Sequence, residues 1–436
     1  MMDSDTSFQI PAELLHLILS EYRPVYNAET IEVVPTRNTK VPTNWVPYAC
    51  QLQFFAQLRL VCRSWYNFIT PLLYSTFTLP THPYDDLERV ARGLSHYPKL
   101  IDHLVLRGHT GGAEEQHAAE LLSACLSQCT NIHTLEILDA HRIFRSSSKS
   151  KCLAIFRALP STAPLTSLVF RFPHYSTQFT YPISTTLLGL GQLIRNLKTL
   201  EIHQFSTAWR PHDAAPLVLP SAFPNLNRLV VHTSSGGLSP NDLSKIISRI
   251  SSRDTPAAVI TSNAPSDSAK RKRNMPLRDL TLSWNRTSRS AMHICNILKT
   301  NDLGKQLTAL WIDSDHFHFS EEDSLPTLPG IIIAACPHLE TFIYYVKSPD
   351  TIFTLLPRTL RVLGISLPED MEYHMDKWVH VKPLTNGNYE PLVDWLAATN
   401  GNGIRKLLIQ RVQLLPAIRE RVKAACQAAN VGFAFD

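Results

Sequence analysis

Leu197-Lys198-Thr199-Leu200-Glu201-Ile202 is followed, 29 residues on, by Leu226-Asn227-Arg228-Leu229-Val230-Val231, and these two stretches decide the fold. Each carries apolar residues at its first, fourth and sixth positions. The last two stand two apart and so share one face of a strand, while the first enters the same core from the preceding turn. An asparagine, Asn196 or Asn225, stands just before each stretch, as a loop-to-strand junction favours.

The pattern occurs ten times. It begins with Ile101-Leu104-Leu106, Ile132-Leu135-Ile137 and Leu165-Leu168-Phe170, ahead of the two stretches quoted. It continues with Leu277-Leu280-Leu282, Leu307-Leu310-Ile312, Leu339-Phe342-Tyr344, Leu360-Leu363-Ile365 and Ile404-Leu407-Ile409. Six of the nine steps between first residues lie between 29 and 33. Between the patterns run stripes at helical spacing. Examples are Ala118, Leu121, Leu122 and Cys125, then Leu187, Leu190 and Leu193, and Leu243, Ile246, Ile247 and Ile250. Others are Ile294, Ile297 and Leu298, and finally Ile418, Val422 and Cys426. A strand and a helix every ~30 residues make one unit that cannot bury its own apolar face, so neighbours must stack. The expectation is an α/β chain in which an irregular leucine-rich-repeat-like solenoid, with a parallel sheet on one side and helices on the other, spans 80–436. A doubly wound sheet is the alternative, but it does not require this pattern before every helix.

Composition agrees with a folded chain and excludes several classes. Of 436 residues, 44% are hydrophobic and 18% charged, which a disordered chain would not show. Forty-two basic against 37 acidic residues leave a net charge of +5, too little over this length to argue for nucleic acid or an anionic membrane. Met1–Gln9 is polar and acidic, unlike a leader peptide, and no apolar run approaches the ~20 residues of a membrane span. The eight cysteines are scattered, most of them in apolar helical contexts, and read as buried thiols rather than a disulfide framework. The expected compartment is cytoplasmic and/or nuclear.

Ahead of the repeats lie two shorter stripes. Residues 10–19 open with a proline suited to a first helical turn, after which Leu14, Leu15, Ile18 and Leu19 share a face. Leu58, Val61, Cys62, Trp65 and Ile69 form a second stripe, with Pro71 as its expected end. This is a small all-helical module over 7–79, with a proline-containing insert at 20–57. It carries more apolar surface than ~65 residues can hide, so part must meet something else.

The segments IPAELLHLIL (10–19) and LRLVCRSWYNFITPLLY (58–74) resemble the F-box, the motif through which substrate receptors join Skp–cullin–F-box ubiquitin ligases. The continuation to about residue 109 is similar to sequences that follow the F-box in large fungal families. The resemblance departs from the ordinary motif in its 38-residue insert between Leu19 and Leu58. It implies that Ile10, Pro11, Leu14, Leu15, Ile18, Leu19, Leu60, Val61, Cys62, Trp65, Leu72 and Tyr74 match the adaptor-binding stretches. The implied partners are a Skp-family adaptor and, through it, a cullin.

No nucleotide-binding loop, GxSxG elbow, HExxH helix or CxxC pair is present. Cys125 and Cys129 lack further ligands at metal spacing. Asp313, Asp315, His316 and His318 form the densest polar cluster and the only nucleus for an enzymatic reading, although a solvated loop explains them as well. No catalytic residue, metal or cofactor is assigned. Lys270-Arg271-Lys272-Arg273 suits a nuclear import signal or a solvated loop.

Residues alternating with the apolar pair should line an open concave face. There Arg171, His203 and His232 would form a basic column for an acidic or phosphorylated segment, and Trp311, Ile343 and Tyr345 an anchoring patch. The reading is a non-catalytic substrate-recognition subunit binding an unidentified protein substrate, or else a repeat scaffold with no role in degradation.

Overall fold

A computed structural model describes residues 54, 56–61, 63–78, 96–107, 124, 126–138, 157–160, 163–172, 194, 196–205, 223, 225–233, 277–283, 298, 303–313, 328–347, 352–366, 371–374, 377–380, 390–409 and 416–435. Among them are fourteen strands and five α-helices; twelve strands are of an all-parallel sheet taken in chain order, and two form an antiparallel hairpin. The class is therefore α/β. No helix among the described residues is long and apolar enough to cross a membrane. The chain divides into two compact units, one of residues 1–106, 116–135 and 158–164, the other of 107–115, 136–157 and 165–436.

In the first unit, helix α1 (Arg63–Ser75) runs into strand β1 (Thr76–Thr78), which pairs in parallel with β2 (His103–Arg107), Phe77 opposite Leu104. Helix α1 does not stop at Pro71, as its sequence suggests, but carries that proline inside it. A proline at 71 removes the N–H that the carbonyl of Asn67 would accept, and because both residues are exposed the loss is cheaper than in a buried helix. The expected stripe from Leu58 is also broken. The chain turns at 57–61, where Leu60 N–H donates to Gln57 O and Val61 N–H to Leu58 O, and helix α1 starts afresh at Arg63. Leu58, Trp65, Phe68, Leu72 and Leu73 then pack around fully buried Ile69.

The second unit shows why the six-residue pattern recurs. Strand β3 (Thr134–Leu138) precedes β4 (Ser167–Arg171), β5 (Thr199–Phe205), β6 (Arg228–Thr233), β7 (Asp279–Ser283) and β8 (Ala309–Asp313). After them come β9 (Thr341–Lys347), β10 (Val362–Ser366), β13 (Lys406–Ile409) and β14 (Gly432–Phe435). From β4 to β14 each strand of this series pairs in parallel with the next, without reversal of order. A doubly wound sheet would reverse. Every one of the ten patterns lies on a strand, and in nine of them all three apolar residues are buried, Ile202 alone being partly exposed.

The residue after the first apolar position makes the link between repeats. In this unit the backbone carbonyls of Thr166, Lys198, Asn227, Arg278, Thr308, Glu340 and Arg361 each accept two N–H bonds of 2.7–3.1 Å from the next repeat's turn. Lys198 O, for example, receives both Asn227 N–H and Arg228 N–H. One carbonyl thus satisfies two turn amides that would otherwise need water, and sets the register before the strand begins.

Helices α2 (Leu328–Ala335), α3 (Ile352–Leu355), α4 (Glu390–Thr399) and α5 (Pro416–Ala428) lie between the later strands. In α5 the expected stripe is confirmed at Val422 and Cys426, four apart and fully buried, and burial pushes the Cys426 thiol up to about 11. In α4, Leu392, Trp395 and Leu396 are buried, Trp395 stacking on Phe353 of α3 at 5.3 Å. Of the earlier stripes, Leu298 is buried and the others lie outside the described residues or are only partly described. The hairpin of β11 (Met371–His374) and β12 (Lys377–His380) lies between β10 and α4 and carries no repeat pattern. Strand β14 escapes the pattern because Asn430, with φ of 55°, stands where the first apolar residue would be.

One position shows how tightly adjacent repeats fit. Gly364 of β10 pairs with Ile343 of β9, and a Cβ on it would stand 2.8 Å from the Ile343 side chain. Gly364→Val is therefore expected to destabilise the chain by about 1–3 kcal/mol through overpacking. Urea unfolding followed by circular dichroism measures it. An unchanged midpoint would mean that the two repeats separate at no cost.

Candidate functional site

Two places carry the residues singled out from sequence, one in each unit. In the first unit, the 57–61 turn leaves Leu60 and Val61 in solvent, 75% and 64% exposed, with Phe54 and Tyr66 also exposed. Trp65 and Leu72 pack against Ile69 and are partly buried, so only part of their surface remains in solvent. The Tyr74 ring packs against Tyr97, tilted by 34° with centroids 4.5 Å apart, and its hydroxyl accepts a bond from Arg59 Nη1 at 3.3 Å. The hydroxyls of Tyr97 and Tyr66 meet at 2.9 Å, a bond that raises the Tyr97 phenol above its ordinary value. Ile10, Pro11, Leu14, Leu15, Ile18, Leu19, Cys62 and the 20–53 part of the insert lie outside the described residues.

In the second unit, parallel pairing does bring Arg171, His203 and His232 side by side. Arg171 is opposite His203 in register, and the His203 and His232 rings stack at 4.8 Å with 16° between planes. The column is not the free basic strip expected. Arg171 Nε donates to Glu136 at 2.5 Å, and His203 Nε2 lies 3.0 Å from Glu201. Arg228 lies 3.6 Å from Glu201 and 3.7 Å from Asp279. Three carboxylates thus stand among two guanidiniums and two imidazoles. Burial, the largest influence on Glu201, pushes its carboxyl up, but the His203 bond and the charges of His203, Arg228 and Arg171 outweigh it and leave it below the usual range. For Asp279 burial prevails over Arg228, and the carboxyl is raised. His232 is held down to about 4, first by burial and then by the charge of His203.

The carboxylates were missed because the basic column was read from the residue after each pattern, without the acids that stand within or just before the apolar pair. Glu136 and Glu201 stand within it, and Asp279 begins β7 one residue before its first apolar position.

The open face itself needs correction. Glu136, Val169, Val230, Thr281 and Ile343, all between-pair residues, are buried almost as fully as the leucines beside them. At these five positions the sheet is packed and not open, whereas Glu201, Trp311 and Leu408 at the same position are partly exposed. Ile343, at 5% exposure, is a packing residue and not part of a surface patch, and His203 is buried as well. Trp311, opposite Ile343 in register, is half-buried. Of Tyr345 and Asp313 only the backbone is described, the two being opposite in register. Asp315, His316, His318 and Lys270–Arg273 lie outside the described residues. Among the described residues no group of three His, Cys, Asp or Glu side chains is placed to hold a metal ion.

No family model and no curated protein matches this chain. Among solved structures it is similar to the crystal structure of a Bacteroides fragilis protein, with 15% identity and a TM-score of 0.38, over 67% of this chain and 73% of that one. At that level the likeness carries no argument about either fold or function.

The stacked imidazoles make a pH prediction. A histidine of ordinary pKa near 6.5 takes a proton in the unfolded chain below that pH, whereas folded His232 resists it down to about 4. Stability from this residue is complete above pH ~6.5 and is lost as pH falls towards 4, up to about 3 kcal/mol over the interval. The lowered Glu201 adds a further loss only below the ordinary carboxylate range. Urea midpoints measured between pH 7 and 4 should fall in the wild type and fall less in His232→Phe. Parallel slopes would remove His232 as the cause.

Proposed function

We propose that this chain is the non-catalytic substrate-recognition subunit of a Skp–cullin–F-box ubiquitin ligase. Its N-terminal helices would dock on the Skp-family adaptor, and its leucine-rich-repeat-like solenoid would hold a protein substrate for modification by other subunits, in cytoplasm or nucleus.

One observation carries the docking half of this reading. Helix α1 buries one face around Ile69, yet the turn before it exposes two adjacent aliphatic residues, Leu60 and Val61, with Phe54 and Tyr66 also in solvent. Adjacent exposed aliphatics gain nothing for the isolated fold and are favoured where a partner covers them. They fall within the second F-box-like stretch. The repeats support the receptor half, because stacked units with conserved geometry and variable side chains are suited to holding proteins.

The test uses the full chain co-expressed with a Skp-family adaptor. Because Leu60 is exposed, Leu60→Asp/Val61→Asp should leave the thermal midpoint within about 1 °C while lowering adaptor affinity by about tenfold or more, measured by calorimetry. Trp65→Ala is a poor probe, since it removes packing on Ile69. A wild-type chain that forms no complex with the adaptor would end the ubiquitin-ligase reading. A complex that recruits no cullin would leave the scaffold without a degradation role.

A further inference from the structure

The carbonyls that join repeats in the second unit belong to residues whose side chains form a second row, apart from the sheet face. One residue per repeat contributes: Thr166, Lys198, Asn227, Arg278, Thr308, Glu340, Arg361 and Arg405. The shared hydrogen bonds place their backbones in register, Arg405 closing the row by accepting Gly432 N–H at 2.8 Å. Lys198, Arg278, Arg361 and Arg405 are exposed cations, and Glu340 is the one acid of the row. Exposed Arg358 and Lys406 flank its later end.

These cations differ from those of the sheet face. Arg171 and Arg228 there are engaged by Glu136, Glu201 and Asp279. In the row, Arg361 donates to Gly403 O at 3.1 Å, and no ion pair with a described carboxylate involves Lys198, Arg278 or Arg405. Four cations against one acid on a line of turns is a concentrated field on a chain whose total charge is only +5.

We propose that this row of turns is a docking strip for an extended, acidic segment of a partner protein. Strands stack at ~4.8 Å, so six steps from Lys198 to Arg405 cover about 29 Å, the length of about nine extended residues. Alternate acidic side chains of such a segment fall on one side at ~7 Å, within reach of the long lysine and arginine stems. A single-stranded nucleic acid fits less well, because the described row offers no aromatic side chain for a base to stack on. The strip is independent of the adaptor reading and moves acid recognition from the sheet face to the turns.

Fluorescence anisotropy of the full chain with a labelled oligoglutamate of about ten residues tests this directly. Binding at about 50 mM salt should weaken by about tenfold at 200 mM, as exposed charge pairs do. Lys198→Glu/Arg278→Glu/Arg405→Glu should abolish it, and Lys198→Gln/Arg278→Gln/Arg405→Gln should weaken it about tenfold while keeping the wild-type circular dichroism spectrum. Glu340→Lys should tighten it by a few-fold, and Lys423→Glu on α5 should leave it unchanged. No oligoglutamate binding at low salt, binding indifferent to the glutamine variant, or tighter binding of an oligouridylate of similar length would each overturn the proposal.

Discussion

A backbone carbonyl one residue after each leading leucine accepts two amides from the following repeat, and much of the molecule depends on that shared bond. It fixes where each strand starts, so the next two apolar residues must enter the same core layer as their neighbours. Strand hydrogen bonds then continue a register already chosen. A slip by one residue would turn Leu200 and Ile202 outward and bring Glu201 into the core, a change too costly for a half-formed repeat. Regularity of this kind tolerates connections of very different length. The insertion between the fifth and sixth patterns and the hairpin before α4 both leave the strand pairing intact.

The same register creates two chemically distinct lines. On the sheet face, residues one strand apart approach closely enough to pair charges and stack rings. Glu136, Arg171, Glu201, His203, Arg228, His232 and Asp279 consequently satisfy one another rather than a ligand. At the turns Lys198, Arg278, Arg361 and Arg405 are exposed, and none forms an ion pair with a described carboxylate. Their mutual repulsion is weak in water, and it is available to be relieved by a partner.

Helix α1 obeys a different constraint. It is too short to bury an apolar face on every side, and the turn before it divides its stripe between packing and solvent. Trp65 and Leu72 went to the Ile69 cluster while Leu60 and Val61 stayed outside. A periodicity argument treats Val61 and Trp65 alike, since it measures only their angle around one continuous helix. The break at 59–61 is a backbone event whose signal in Arg59-Leu60-Val61 is slight, these residues all being compatible with helix.

By itself the sequence determined the positions of the ten strands that carry the pattern, because Leu-x-x-Leu-x-Ile at this repeat spacing suits a turn followed by a strand in a shared core. It also specified parallel stacking in chain order, which follows from burying identical faces of successive units. Tertiary structure alone decided which polar residues meet. Glu201 lies two residues from His203 along the chain, but Arg171, Arg228, His232 and Asp279 reach this network from other strands. It decided too that Ile343 is buried and Leu60 exposed, for burial depends on what packs against a side chain, and no local period contains that. The row holding Lys198, Arg278, Arg361 and Arg405 became visible last, since its successive members, up to 51 positions apart, are neighbours only after the turns have stacked.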